Sequence, residues 1–145
     1  MTVALVGTGV AEAVSKSIPG SILASDEKTV VVSADKLYPA AEFLKTSEFA
    51  FDYLANLTSA DYLDYFEVVY HLVSLKKNHS LVLKTRIYGR EAPAVASVVP
   101  LWRGAELQER EVFDLMGISF EGHPNLKRIL LWDGFPGHPL RRDYL

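Results

Sequence analysis

The sequence predicts an α+β fold: a single domain with a mixed or mostly antiparallel sheet, a β-hairpin, helices packed on one side and an extended C-terminal arm. Three observations carry that expectation. From Phe66 to Leu75 β-branched and aromatic residues run almost without a break, and Lys76-Lys77-Asn78-His79 makes a polar turn. Leu81, Leu83 and Ile87 then alternate with Lys84, Arg86 and Tyr88, the pattern of a hairpin with one buried and one wet face. Leu37, Ala40, Ala41 and Leu44 recur at i, i+3, i+4 and i+7, the spacing of an amphipathic helix. Glu106 to Met116 holds no helix breaker and stops at a glycine.

At 145 residues one domain is expected, able to bury roughly two-thirds of its unfolded surface. A formal net charge of -3 with no basic face argues against nucleic acid as a partner. The chain has no cysteine, which removes disulfides, thiolate zinc sites, cysteine nucleophiles and thiolate-held iron-sulfur clusters together. Met1 to Ile18 is apolar but lacks a basic start, contains Gly7 and Gly9 and falls short of the ~20 residues of a spanning helix, so neither a signal peptide nor a membrane anchor is expected.

In chain order, Val3 to Ala13 carries a Gly-x-Gly that invites a dinucleotide-binding reading. Glu12 occupies the third glycine position and no second parallel unit follows, so a short helix from about Val10 to Ser17, ended by Pro19-Gly20, is the simpler reading. Thr29 to Ser33 is β-branched and reads as a strand. Asp35 is placed to cap the following helix, whose first turns tolerate Pro39. A strand is expected near Tyr53 to Leu57, ahead of the hairpin. Gly89 to Pro93 is a turn, and Val95 to Leu101 is an apolar run between prolines. The next helix places Leu107, Val112, Leu115 and Met116 along one broad side, and Gly117 suits a left-handed cap. Ile129 to Trp132 reads as a short strand. Residues 1–133 form the domain; Gly134 to Leu145, rich in Gly and Pro, is the arm.

Charge concentrates in Glu109, Arg110, Glu111 and Asp114, with Lys127, Arg128, Arg141 and Arg142 following. Such a ring is either solvated or buried against partners, and each buried charge then needs an opposite. A carboxylate pair for acid-base work is disfavoured, since Glu109 and Glu111 stand about 200° apart around a helix. The histidines are His71, His79, His123 and His138. They lack metal-ligand spacing, and each is expected to satisfy a backbone or carboxylate partner. Ser97 and Ser119 show no recognisable His and acid partners, so no catalytic or metal residue is assigned.

Glu109-Arg110-Glu111, Asp114, Gly117-Ile118-x-Phe120-x-Gly122-His123-Pro124, Lys127, Ile129-Leu130 and Gly137-His138-Pro139-Leu140-Arg141-Arg142-Asp143-Tyr144 closely resemble the motifs of one family. It is the Glu-Arg-Glu signature subunit, or C subunit, of respiratory complex I, the proton-pumping NADH:quinone oxidoreductase. Leu107-Gln108 stands where that family usually has an aromatic residue, and the tail stops at Leu145 where relatives often continue. These departures leave sibling complexes open, including a membrane-bound hydrogenase or a ferredoxin-linked relative. The resemblance implies a non-catalytic scaffold subunit of the peripheral arm, on the cytoplasmic side of the membrane and reaching it only through the complex. Iron-sulfur clusters, flavin and quinone would reside on partner subunits, chiefly the large quinone-site subunit and cluster-bearing neighbours. It also implies an interface role for Glu109, Arg110, Glu111, Asp114, His123, Lys127, Arg128, His138, Arg141, Arg142, Asp143 and Tyr144. A stand-alone metal-dependent hydrolase using His123, His138 and the carboxylates, or an adaptor for another assembly, are the rivals from other classes.

Overall fold

The computed structural model describes residues 2–144, so Met1 and Leu145, the outer ends of the two expected segments, lie outside the described residues. Its elements are β1 (Val3–Ala4), α1 (Gly7–Ser17), β2 (Ile22–Ser25), β3 (Thr29–Ser33), α2 (Leu37–Thr46), β4 (Tyr53–Asp61), β5 (Phe66–Ser74), β6 (His79–Ile87), β7 (Ala94–Ala96), α3 (Ala105–Met116) and β8 (Ser119–Glu121). The main sheet is mixed, in the order β2-β3-β6-β5-β4, with β1 also pairing in parallel with β6. The expected hairpin is β5–β6, with Phe66 opposite Ile87 and Ser74 opposite His79. The parallel β3–β6 pair, joined through α2 and β4–β5, makes the sheet mixed.

Register explains the two faces. Phe66, Val68, Tyr70 and Leu72 of β5 stand opposite Ile87, Thr85, Leu83 and Leu81 of β6, and Val30 and Val32 continue the row on β3. All are buried in the core that Val10, Ala11 and Val14 of α1, the four periodic residues of α2, and Val112 and Met116 of α3 also enter. On the other face Glu67 lies between Lys84 (3.5 Å) and Arg86 (3.7 Å). The helices thus cover one side of the sheet, as in a two-layer domain.

Several sequence expectations shift. Helix α1 begins at Gly7, and a Cβ there would lie 2.3 Å from the Asp26 carbonyl oxygen and 2.5 Å from that of Thr29. The glycine permits close approach of helix to strand turn, not of a pyrophosphate. Asp35 makes no side-chain cap; a 3-10 turn, Ala34–Lys36, precedes α2. Strand β4 runs to Asp61, beyond the expected end. It is an edge strand, and α3 runs beside it, with Gln108 Oε1 accepting the Leu57 amide at 2.7 Å. Residues 129–132 form no strand, because Asp114 takes the amides of the first three. Residues 134–144 contain no helix or strand, but they turn back onto the domain instead of extending from it. No helix among the described residues is long and apolar enough to cross a membrane.

Candidate functional site

Helix α3 organises the signature. Ala105, Glu109, Val112 and Met116 recur at i, i+4, i+7 and i+11, and all four are buried. The expected apolar side is therefore corrected: Leu107 is 54% exposed, and a carboxylate occupies the middle of the buried stripe. Glu109 accepts the Ser97 hydroxyl at 2.6 Å and the Val98 amide at 2.9 Å, both from the segment after β7. Burial pushes its carboxyl up to about 7, against the opposing pull of those two hydrogen bonds.

The opposite side of α3 holds the loop that follows β8. Arg110 donates to the Lys127 and Arg128 carbonyls at 3.1 and 3.0 Å. Asp114, fully buried, accepts the Ile129, Leu130 and Leu131 amides at 3.2, 2.8 and 2.9 Å, and Arg128 Nη1 lies 3.2 Å from its other oxygen. Together the two side chains bind five consecutive backbone positions, which is why the loop is not a strand. Burial works against the Asp114 charge, but the amides of Leu131, Leu130 and Ile129 and the Arg128 cation outweigh it, and the carboxyl stays below its ordinary range.

The C-terminal segment caps the same helix. His138 Nδ1 donates to the Asp114 carbonyl at 2.9 Å, the Leu140 amide to Leu115 at 3.0 Å and Arg141 Nε to Met116 at 2.6 Å. These carbonyls have no partner within a helix, and the Arg141 cation there suits the negative end of its dipole. Gly117 has φ +74°, and a Cβ on it would lie 2.6 Å from the His138 ring, so conformation and space both require glycine. Farther along, Arg90 binds Asp61 through both nitrogens (2.7 and 2.6 Å) and Asp143 at 3.1 Å, while the Arg142 amide donates to Asp61 at 2.9 Å. The Arg90 guanidinium beside Asp61 holds that carboxyl well below the usual range despite its burial. The Arg90 and Arg141 guanidinium groups both lie over the Phe66 ring.

Of the expected interface residues, Glu109, Arg110, Asp114, Arg128, His138 and Arg141 thus spend their polar groups inside the chain. So does His123, which donates from Nε2 to the Glu106 carbonyl at 2.9 Å. Tyr144 reaches the Pro136 carbonyl at 3.3 Å, and its ring covers Gly137. Glu111, Lys127 and Arg142 hold their side chains on the surface. What the sequence reading missed is the apolar surface that this framework carries: Leu130 is 60%, Trp132 66% and Leu140 56% exposed. Trp132 packs edge-on against Phe135, centroids 5.8 Å apart, and against Gly134, where a Cβ would lie 2.6 Å from the indole. His79 meets the Phe49 carbonyl at 2.6 Å, and His71 is exposed. Among the described residues no three His, Asp or Glu side chains are grouped to hold a metal ion.

Residues 30–145 match the model of the family described as respiratory-chain NADH dehydrogenase, 30 kDa subunit. The C subunit of an NADH-quinone oxidoreductase from Moorella thermoacetica is 46% identical over 121 residues, 82% of this chain and 80% of that protein. The same subunit from a Roseiflexus species is 40% identical over 148 aligned residues, 97% of this chain and 84% of the relative. The mitochondrial NADH dehydrogenase [ubiquinone] iron-sulfur protein 3 of Candida albicans is 39% identical over 142 residues, 95% of this chain, which spans only half of that protein's length. Among solved structures, a chain of the membrane-bound sulfane sulfur reductase, an archaeal respiratory membrane complex, matches with a TM-score of 0.75 and 25% identity, over 94% of this chain and 84% of that one.

Proposed function

The chain belongs to the family of the 30 kDa subunit of respiratory-chain NADH dehydrogenase, and from that premise we propose that it is a structural subunit of the peripheral arm of a proton-translocating NADH:quinone oxidoreductase. It supports electron transfer to quinone by holding neighbours in place and contributes no catalytic site. The name of the Candida relative refers to an iron-sulfur protein; a sequence without cysteine supports the reading that thiolate-held clusters reside on other chains. Flavin and quinone likewise belong to partners, chiefly the large quinone-site subunit and its cluster-bearing neighbours. The chain meets the membrane through them, on the cytoplasmic side.

The observation that carries this reading is the exposed Leu130, Trp132 and Leu140 on segments whose backbone is held by Arg110, the buried Asp114 and the C-terminal carbonyls of α3. A rigidly presented tryptophan beside aliphatic residues is the composition of an interface anchor, with Lys127 and Arg142 as rim charges. The signature then acts at one remove: Arg110, Asp114, His138 and Arg141 fix the shape, and the residues they position make the contact. The likeness to the archaeal complex supports a second reading, an equivalent scaffold in a related membrane-bound complex with another electron donor.

Membranes carrying Trp132→Ala together with Arg142→Ala test the proposal on native gels. Truncating an anchor of this kind costs about 2 kcal/mol or more, a factor of roughly 30 in affinity. Less intact complex is expected, while the purified chain keeps its wild-type urea midpoint. Wild-type amounts of intact, active complex would overturn the assignment of this surface.

A further inference from the structure

Glu109 is a carboxyl group without solvent exposure, and the elements around it bring little charge to it. The segment after β7 supplies the Ser97 hydroxyl and the Val98 amide. Strand β5 supplies the buried Tyr70 phenol, which feels the Glu109 charge and whose oxygen has no hydrogen-bond partner among the described residues. The turn after β8 supplies His123, whose Nε2 stands 4.0 Å from Glu109 Oε1, and α3 itself supplies the Glu106 carbonyl that this nitrogen engages. Among the described residues His123 is the basic group within ion-pair reach.

The His123 tautomer follows from its partners. The Asn125 amide donates to Nδ1 at 2.9 Å, so Nδ1 bears a lone pair and the ring hydrogen sits on Nε2. The Ser97 hydroxyl serves either state of Glu109, accepting from the acid or donating to the carboxylate. A buried anion needs more than that, and the His123 N–H stands 4.0 Å away, close enough to be drawn in.

We propose that Glu109 is a buried proton site whose ionisation moves the His123 turn. When the carboxyl O–H bond breaks and the proton leaves to solvent, Nε2–H exchanges the Glu106 carbonyl for the Glu109 carboxylate. The neutral ring advances about 1 Å to reach hydrogen-bond distance, which draws Nδ1 away from the Asn125 amide. That turn leads into the loop that Arg110 and Asp114 hold, which confines the movement to the residues around His123 and Asn125. The elevated carboxyl places the change near neutral pH. The movement lies within one chain and stands whether or not the assembly reading does.

The test is an NMR titration of the isotopically labelled full chain from about pH 5 to about pH 9. The Glu109 carboxyl carbon and the Asn125 amide are expected to share one midpoint near 7. Asn125 exchange protection, corrected for intrinsic rate, is expected to fall at least about tenfold across it. In Glu109→Gln the Asn125 signal should no longer follow that curve. Should that variant fail to fold, Ser97→Ala removes a hydrogen bond that favours the carboxylate, and both midpoints must rise together. A Glu109 carbon that reads as carboxylate throughout overturns the proposal. So does an Asn125 titration unchanged in Glu109→Gln, which would make His123 the titrating group, or an Asn125 midpoint left behind in Ser97→Ala.

Discussion

Replacing Asp114 with asparagine probes the claim that the signature charges work inside the domain. The carboxylate accepts three consecutive amides on one oxygen and faces Arg128 at 3.2 Å with the other. Asparagine has the same shape but one acceptor oxygen and two N–H donors. Turned one way it points N–H at Arg128; turned the other, N–H meets the amides of Ile129, Leu130 and Leu131. Hydrogen bonds to charged groups contribute about 1.5–3 kcal/mol each, and breaking a buried pair costs about 3–5 kcal/mol. The loop can rehydrate, so a net loss of about 3 kcal/mol is expected. At a urea slope of about 2 kcal/mol/M the midpoint falls by about 1.5 M. The Asp114 carboxyl titrates below its ordinary 3.8 in the fold, so its stabilisation is fully present above that value and fades as pH falls through the folded one. The gap between wild type and Asp114→Asn should be open at about pH 7 and narrow below about pH 4. Equal midpoints at neutral pH, or a gap of constant size into acid, would refute the reasoning.

The remaining predictions concern glycine and Glu109. Gly117→Ala meets both a φ of +74° and the His138 ring 2.6 Å from the new Cβ. It should cost about 1–3 kcal/mol and speed tryptic cleavage after Arg141 and Arg142. Gly7→Ala would drive a Cβ to 2.3 Å from a backbone oxygen and should destabilise by about 1–3 kcal/mol. Gly9→Ala, with nothing within 4 Å, should gain roughly 0.5–1 kcal/mol in the same urea titration. The Glu109 carboxyl is raised from 4.5 to about 7, so wild-type stability is full below 4.5 and declines by about 3 kcal/mol as pH rises through 7. Glu109→Gln should flatten that decline and be more stable than wild type above neutrality; parallel pH profiles would contradict the assignment.

The elements that periodicity alone specifies were legible in the sequence. Leu37, Ala40, Ala41 and Leu44 are all buried on α2, and the β5–β6 alternation matches the observed faces. Strand β2 escaped notice because Ile22–Ser25 is a mostly exposed edge with a bulge, so no apolar pattern marks it. Ile129 to Leu131 has the composition of a strand, but its amides are claimed by a carboxylate fifteen and more residues earlier, a choice local propensity cannot register. Glu109 was readable as a member of a charged group, and its position seven residues before Met116 and three before Val112 placed it on the buried stripe. Hydrophobicity took Leu107 for that face instead, because nothing local announces that Ser97 and Val98 will satisfy a carboxylate. Arg142 and Lys127 remain surface cations, whereas Arg141, the neighbour of Arg142 in sequence, caps a helix. Nothing in the sequence distinguishes the two arginines in this way.

A structural subunit of a larger oxidoreductase must be recovered together with its neighbours. Affinity purification of the tagged full chain from its own membranes in mild detergent, with mass spectrometry of what accompanies it, tests that most directly. The quinone-site and cluster-bearing subunits are predicted alongside it, in a preparation that oxidises NADH with quinone and yields smaller, inactive assemblies when Trp132 is truncated. A chain recovered alone, or active without any oxidoreductase partner, would contradict it.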